Sequence, residues 1–135
     1  MGLLPDDTDL AGQLSHRDFT LLGGLSVDVK AAKKIQRRDP RPQYELVWIE
    51  IHGPKRRGWL FGGRANWIAF ERRKDFVCVP RPDLAAFVEE HVQHDMRAAC
   101  HEDAVYRPFM RGKSMLTLIP MRDITKNIPV LILKK

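Results

Sequence analysis

Three residues of this chain have the types and spacing for phosphate chemistry: Asp18, Asp28 and Lys30. In an extended strand, residues two apart share a face, so Asp28 and Lys30 project together while Val27 and Val29 turn toward the core. Asp18 precedes a stretch in which Phe19 and Leu21 alternate with Thr20, and Gly23-Gly24 separates that stretch from Ser26-Val27-Asp28-Val29-Lys30. Period-two alternation on both sides of a glycine pair predicts a β-hairpin. A connection with an odd number of residues, such as Leu22-Gly23-Gly24, sets Asp18 opposite Asp28 on one face. A two-residue Gly23-Gly24 turn opposes Asp18 to Val29 and breaks the set.

Two carboxylates held side by side repel, so one must take a proton or a cation must join them. Mg²⁺ (or Mn²⁺) suits oxygen ligands and retains several waters, which leaves room for a phosphate oxygen and an attacking water. The metal would acidify that water, and Lys30 could orient it and offset charge developing in the transition state. This is the chemistry of phosphodiester hydrolysis.

The elements that must position these groups follow from the pattern. Residues 1–16 hold Pro5, Gly12 and scattered aspartates and read as an irregular segment. After the hairpin, a basic, proline-containing stretch at 37–42 leads to residues 44–51, rich in aromatic and β-branched side chains and expected to form a central strand. Residues 52–58 read as a loop, and 66–70 and 76–79 as two short strands about a charged turn. Pro82 and Asp83 suit the first turn of a helix in which Leu84, Phe87, Val88, His91, Val92 and Asp95 recur at helical spacing. Residues 105–110 and 115–119 predict a second hairpin. The tail, 126–135, carries an apolar run that could finish the sheet or meet a partner. One domain of α/β (or α+β) class is expected, with a central mixed sheet flanked by helices.

The 135 residues are 44% hydrophobic and 30% charged, enough for one ordinary core. The net charge is +6 and the isoelectric point about 9.6, which favours an anionic partner, DNA first and RNA not excluded. The positive charge is clustered. Lys33, Lys34, Arg37 and Arg38 follow the hairpin, Lys55, Arg56, Arg57 and Arg64 fall near the loop at 52–58, and Arg72, Arg73 and Lys74 form a third group. The first two clusters are the candidate phosphate contacts. Cys78 and Cys100 make no disulfide framework or zinc ribbon. No apolar run is long enough to cross a membrane, and the first fourteen residues do not resemble a signal peptide. A cytoplasmic location, free thiols and no membrane partner are expected.

The succession Ser26-Val27-Asp28-Val29-Lys30-Ala31-Ala32-Lys33, Leu46-Val47-Trp48-Ile49-Glu50-Ile51, Gly62-Gly63-Arg64-Ala65-Asn66-Trp67-Ile68-Ala69-Phe70, Phe76-Val77-Cys78-Val79-Pro80 and Leu118-Ile119-Pro120-Met121-Arg122-Asp123-Ile124 resembles small phage- and prophage-type members of the PD-(D/E)XK nuclease superfamily. The resemblance implies a restriction-endonuclease-like core, Asp18 and Asp28 as metal ligands, Lys30 as the catalytic lysine and Glu50 as a further acid near the site. Departures from the pattern are Asp28 in place of the usual Glu, Arg17 in place of Pro, Asn66 in place of Asp, and a leading helix that is short or missing.

Other signals are weaker. His91, His94, Cys100 and His101 fit no zinc spacing. Trp48 and Trp67 sit in apolar runs and read as core, whereas Trp59, after a basic loop, is the better base-facing aromatic. No nucleophilic triad or phosphate-binding glycine loop is present. The expected function is a metal-dependent DNA endonuclease or resolvase acting as a homodimer. The alternatives are an inactive nuclease-fold protein that binds nucleic acid, or a protein-interaction module using its apolar tail.

Overall fold

The computed structural model describes residues 26–53 and 57–135, together with the backbone of 19–20. Strand β1 (Phe19–Thr20) pairs antiparallel with β2 (Ser26–Lys30). β3 (Leu46–His52) follows, then a single helical turn, α1 (Trp59–Gly62). Next come β4 (Trp67–Glu71), β5 (Asp75–Pro80) and helix α2 (Arg81–His91). A 3₁₀ turn at His101–Asp103 precedes β6 (Phe109–Arg111), β7 (Ser114–Pro120), helix α3 (Met121–Asn127) and β8 (Leu131–Lys134).

The described strands form two sheets. The larger has the order β1-β2-β4-β5-β8 and is mixed, because β4 runs parallel to β2 while every other pair is antiparallel. The smaller is antiparallel, with the order β3-β7-β6. The chain is therefore of mixed α/β class. Residues 46–52 form a strand as expected, but it is the edge of the small sheet rather than the centre of the large one. The excursion through β3 lets β2 pair in parallel with β4, since a parallel neighbour needs a long crossover between its strands.

The main core lies between one face of the large sheet, α2 and the inner face of the small sheet. Ile68, Phe70, Val77 and Val79 meet Leu84, Phe87 and Val88 of α2, Leu60 of α1, and Ile49 and Ile119 of the small sheet. The opposite face of the large sheet gathers Val27, Ala69, Phe76 and Cys78 with the half-buried Val29, Leu131 and Leu133. Burial pushes the Cys78 thiol up to about 11, so it is an inert core residue, and both cysteines are free thiols.

Two helices start in the same way. β5 and β7 each end in proline, Pro80 and Pro120, and an aspartate follows in the first turn, Asp83 and Asp123, where the helix dipole favours negative charge. The sequence pattern located α2, although Asp95 lies beyond its end and is exposed. It did not locate α3, which has only two turns and buries just Met121 and Ile124. The second hairpin is shorter than expected, because the chain enters it through Tyr106 with φ of 58° and turns at Gly112 with φ of 60°. The apolar tail finishes the large sheet, with Leu131 to Lys134 paired to Cys78 to Asp75. No helix among the described residues is long and apolar enough to cross a membrane.

Candidate functional site

Strand β2 places the candidate residues through its register with β4. Asp28 pairs with Ile68 and Lys30 with Phe70, so both charged side chains lie on the face that carries the main core. Alternation alone predicts the reverse, with the Val27 and Val29 face toward the main core. The Asp28 and Lys30 face is polar here because β2 lies near the end of the sheet, where the core gives way to a cleft. Lys30 Nζ lies 3.2 Å from Asp28 Oδ2, with side-chain exposures of 28% and 20%. The same ammonium sits 4.5 Å above the Trp59 ring, which packs edge-on against Phe70. Lys30 is thus held on two sides, by a carboxylate and by an indole face.

Trp59 reaches that position because α1 is pressed against β3. Gly58 donates its backbone N–H to the Ile51 carbonyl, and a Cβ at position 58 would stand 2.1 Å from the Glu50 carbonyl oxygen. Only glycine allows this approach.

A cleft of about 1270 Å³ opens beside Lys30 and is bordered also by Glu50, Trp59, Glu71 and the segment that leaves β2. Its floor is part of the outer face of the small sheet, the rest of which packs around Leu118 with Ala98 and Ala104. Alternation along β3 sends Val47, Ile49 and Ile51 inward, so Trp48 and Glu50 share the cleft face. Glu50 therefore borders the same cleft as Lys30, but on the other sheet. Trp48 stacks on Phe109 at 5.9 Å, and the Arg111 guanidinium lies 4.5 Å above its ring. The wall is stapled to the floor: Trp48 Nε1 donates to the Lys34 carbonyl, Arg111 to the Ile35 carbonyl, and Gln43 N–H to the Lys33 carbonyl.

Glu71 closes the far end of the wall. Burial would raise its carboxyl, but hydrogen bonds from Lys135 and from the Ala32 N–H outweigh that and hold it below the ordinary carboxylate range. Its charge is neutralised by Lys135 at 2.8 Å.

Of the expected phosphate contacts, Lys33, Lys34 and Arg37 border the cleft. Arg38 and Arg64 are exposed but do not line it. Arg57 is exposed and lies over Phe61 at 5.3 Å. Lys55, Arg56 and Asp18 fall outside the described residues. In the third basic group, Arg72 is tied to Asp75 at 2.7 Å and closes the β4–β5 turn. Asn66 accepts a hydrogen bond from the Ser26 N–H at 2.9 Å, which joins the starts of β2 and β4.

Trp48, expected in the core from its apolar neighbours, does pack half-buried against the cluster of Ala98, Ala104 and Leu118, and it also borders the cleft. The signal that identifies it is the alternation itself. If Glu50 borders a site, position 48 on the same strand shares that face.

Among the described residues no group of three His, Cys, Asp or Glu is arranged to hold a metal ion. The donor chemistry at Asp28 suits a hard cation, being a half-buried carboxylate. The second ligand expected from sequence, Asp18, lies outside the described residues. No protein-family model matches the chain, and no curated protein or solved structure is significantly similar to it.

Proposed function

We propose that this chain is a metal-dependent DNA endonuclease or resolvase with a restriction-endonuclease-like site on the β1–β2 hairpin. The observation that carries the reading is the Asp28–Lys30 pair, half-buried on one face of β2 at the edge of a basic cleft. The hairpin register adds to it. Phe19 opposes Val27 and Thr20 opposes Ser26, which is the odd-numbered connection that the site requires.

In this reading Asp18 and Asp28 would hold Mg²⁺ or Mn²⁺, which would supply an acidified water and charge neutralisation at the phosphate. Lys30 Nζ stands beside the Asp28 carboxylate and orients the attacking water. Trp59 shields the ammonium from solvent on its other side. Glu50, across the cleft, is the further acid. Each chain has one such site, so cutting both strands of a duplex takes a homodimer. The location is proposed to be cytoplasmic.

Purified protein incubated with supercoiled plasmid and Mg²⁺ or Mn²⁺ is expected to nick it. Asp28→Ala and Lys30→Ala are each expected to slow nicking by about 10²-fold or more while circular dichroism is unchanged. Undiminished cleavage by both variants would defeat the mechanism.

A second reading, binding of nucleic acid without cleavage, draws on the same pair. The Lys30 ammonium already occupies a position against Asp28 that a cation would share. Salt-sensitive affinity for DNA, with no nicking in either metal, selects it.

A further inference from the structure

The cleft holds more aromatic surface than phosphate contact alone would use. Three rings at or beside it each carry a cation over one face: Trp48 with Arg111 at 4.5 Å, Trp59 with Lys30 at 4.5 Å, and Tyr44 with Arg73 at 5.6 Å. At about 1270 Å³ the space exceeds the roughly 300–1,000 Å³ of small-molecule sites, so a stretch of polymer suits it better. Its border carries five lysines and arginines against two glutamates, and Glu71 is already neutralised by Lys135. That balance favours a polyanion as occupant.

Trp48 is the best-fixed of the three rings. Its indole N–H is held by the Lys34 carbonyl, Phe109 stacks against it at an interplanar angle of 28°, and Arg111 is anchored to the Ile35 carbonyl. The Arg111 guanidinium, exposed and 4.5 Å over the Trp48 ring, offers a nucleobase a planar group to lie against or displace. Bases inside a duplex already stack on their neighbours and cannot use such a platform. An unpaired strand can.

We propose that this cleft binds a single unpaired strand of nucleic acid, with a base stacked in the Trp48–Arg111–Phe109 column and phosphates on Lys33, Lys34 and Arg37. The inference rests on the nucleic-acid half of the reading above and is independent of cleavage. Three consequences follow: the strand is recognised by stacking rather than by sequence, its path runs along the outer face of the small sheet, and that path passes Lys30 and Glu50. A nuclease with this channel would act where a duplex is opened, at a junction, flap or gap.

The test is fluorescence anisotropy in EDTA, with a labelled thymidine oligonucleotide, a duplex of equal length, and an abasic strand carrying the same phosphates. The thymidine strand is expected to bind more tightly than the duplex. Trp48→Ala is expected to weaken thymidine binding about tenfold and to leave abasic binding unchanged, with Trp48→Phe restoring most of the loss. Replacing Lys33, Lys34 and Arg37 by Gln together should weaken both strands and flatten the salt dependence. If Trp48→Ala does not fold, Arg111→Gln provides the same comparison. Equal affinity for duplex and strand, equal losses on thymidine and abasic strands, or equally tight binding of polyglutamate would overturn the proposal. Plasmid nicking alongside any of those results would leave the nuclease reading intact and remove only the single-strand channel.

Discussion

At the scale of single residues, the site depends on how half-buried charges are partnered. Glu71 accepts from Lys135 and from the Ala32 N–H, so it ties the end of β4 both to the last residue of the chain and to the start of the cleft wall. Its carboxyl is held below the ordinary value of 4.5. The Arg72 hydrogen bond likewise outweighs burial to hold Asp75 below 3.8. A depressed folded-state pKa means that the unfolded chain takes up protons first as acid is added. The stabilisation is therefore complete above the unfolded values and is lost as pH falls through the lower folded ones. For an ion pair of this exposure the contribution is about 1 kcal/mol. Glu71→Gln should accordingly lower Tm near neutral pH, and the gap between variant and parent should close as pH falls below about 4.5. Thermal unfolding followed by circular dichroism across that range checks this; a gap independent of pH would contradict it.

At the same scale, part of the site was legible in the sequence. Asp28 and Lys30 do share a face, because period two leaves no other option in a strand. The sequence did not reveal which face. Val27 and Val29 are apolar and do pack, but against the smaller cluster, while the charged pair borders the larger one. Alternation assigns residues to two sides; it cannot rank the sides when both sides of a sheet are covered.

Among the elements, β3 and α1 determine how the cleft is built. The aromatic and β-branched residues of β3 predict a strand, but no local pattern announces that its partner is β7 and not β2. The single turn α1 follows the loop expected at 52–58 and was itself given no element, since four residues are too few to show helical periodicity. Its position depends on Gly58, which lies against the β3 backbone. Gly58→Ala would force the two apart at a cost of about 1–3 kcal/mol. The expected result is a lower Tm together with a red-shifted tryptophan emission as Trp59 leaves Lys30 and Phe70. An unchanged Tm and spectrum would show that α1 is held some other way. α3 escaped the sequence reading for a related reason: seven residues between two apolar runs bury only Met121 and Ile124. The repeated use of proline followed by aspartate at the third position, seen at both Pro80 and Pro120, is the cue that links it to α2.

For the whole molecule, composition and charge pointed to a basic globular chain and the element pattern to a mixed α/β class, and the arrangement of the charge gives that basicity its form. Lysines and arginines that look like three equivalent clusters along the chain take three different roles: a cleft wall at 33–37, a turn closed by an ion pair at Arg72, and exposed positions such as Arg38 and Arg64 away from the cleft. The apolar tail, which could have marked an interaction surface, is a strand of the chain's own sheet, with Leu131 and Leu133 packed on Phe76 and Cys78. Only Ile132 of that strand is a large exposed hydrophobic residue. The central proposal is a cation held jointly by positions 18 and 28 beside Lys30. Electron paramagnetic resonance during a Mn²⁺ titration tests it most directly. The account predicts one bound ion per chain, lost in Asp18→Asn and lost again in Asp28→Asn. An ion that survives both substitutions, or no bound ion in the parent protein, would contradict it.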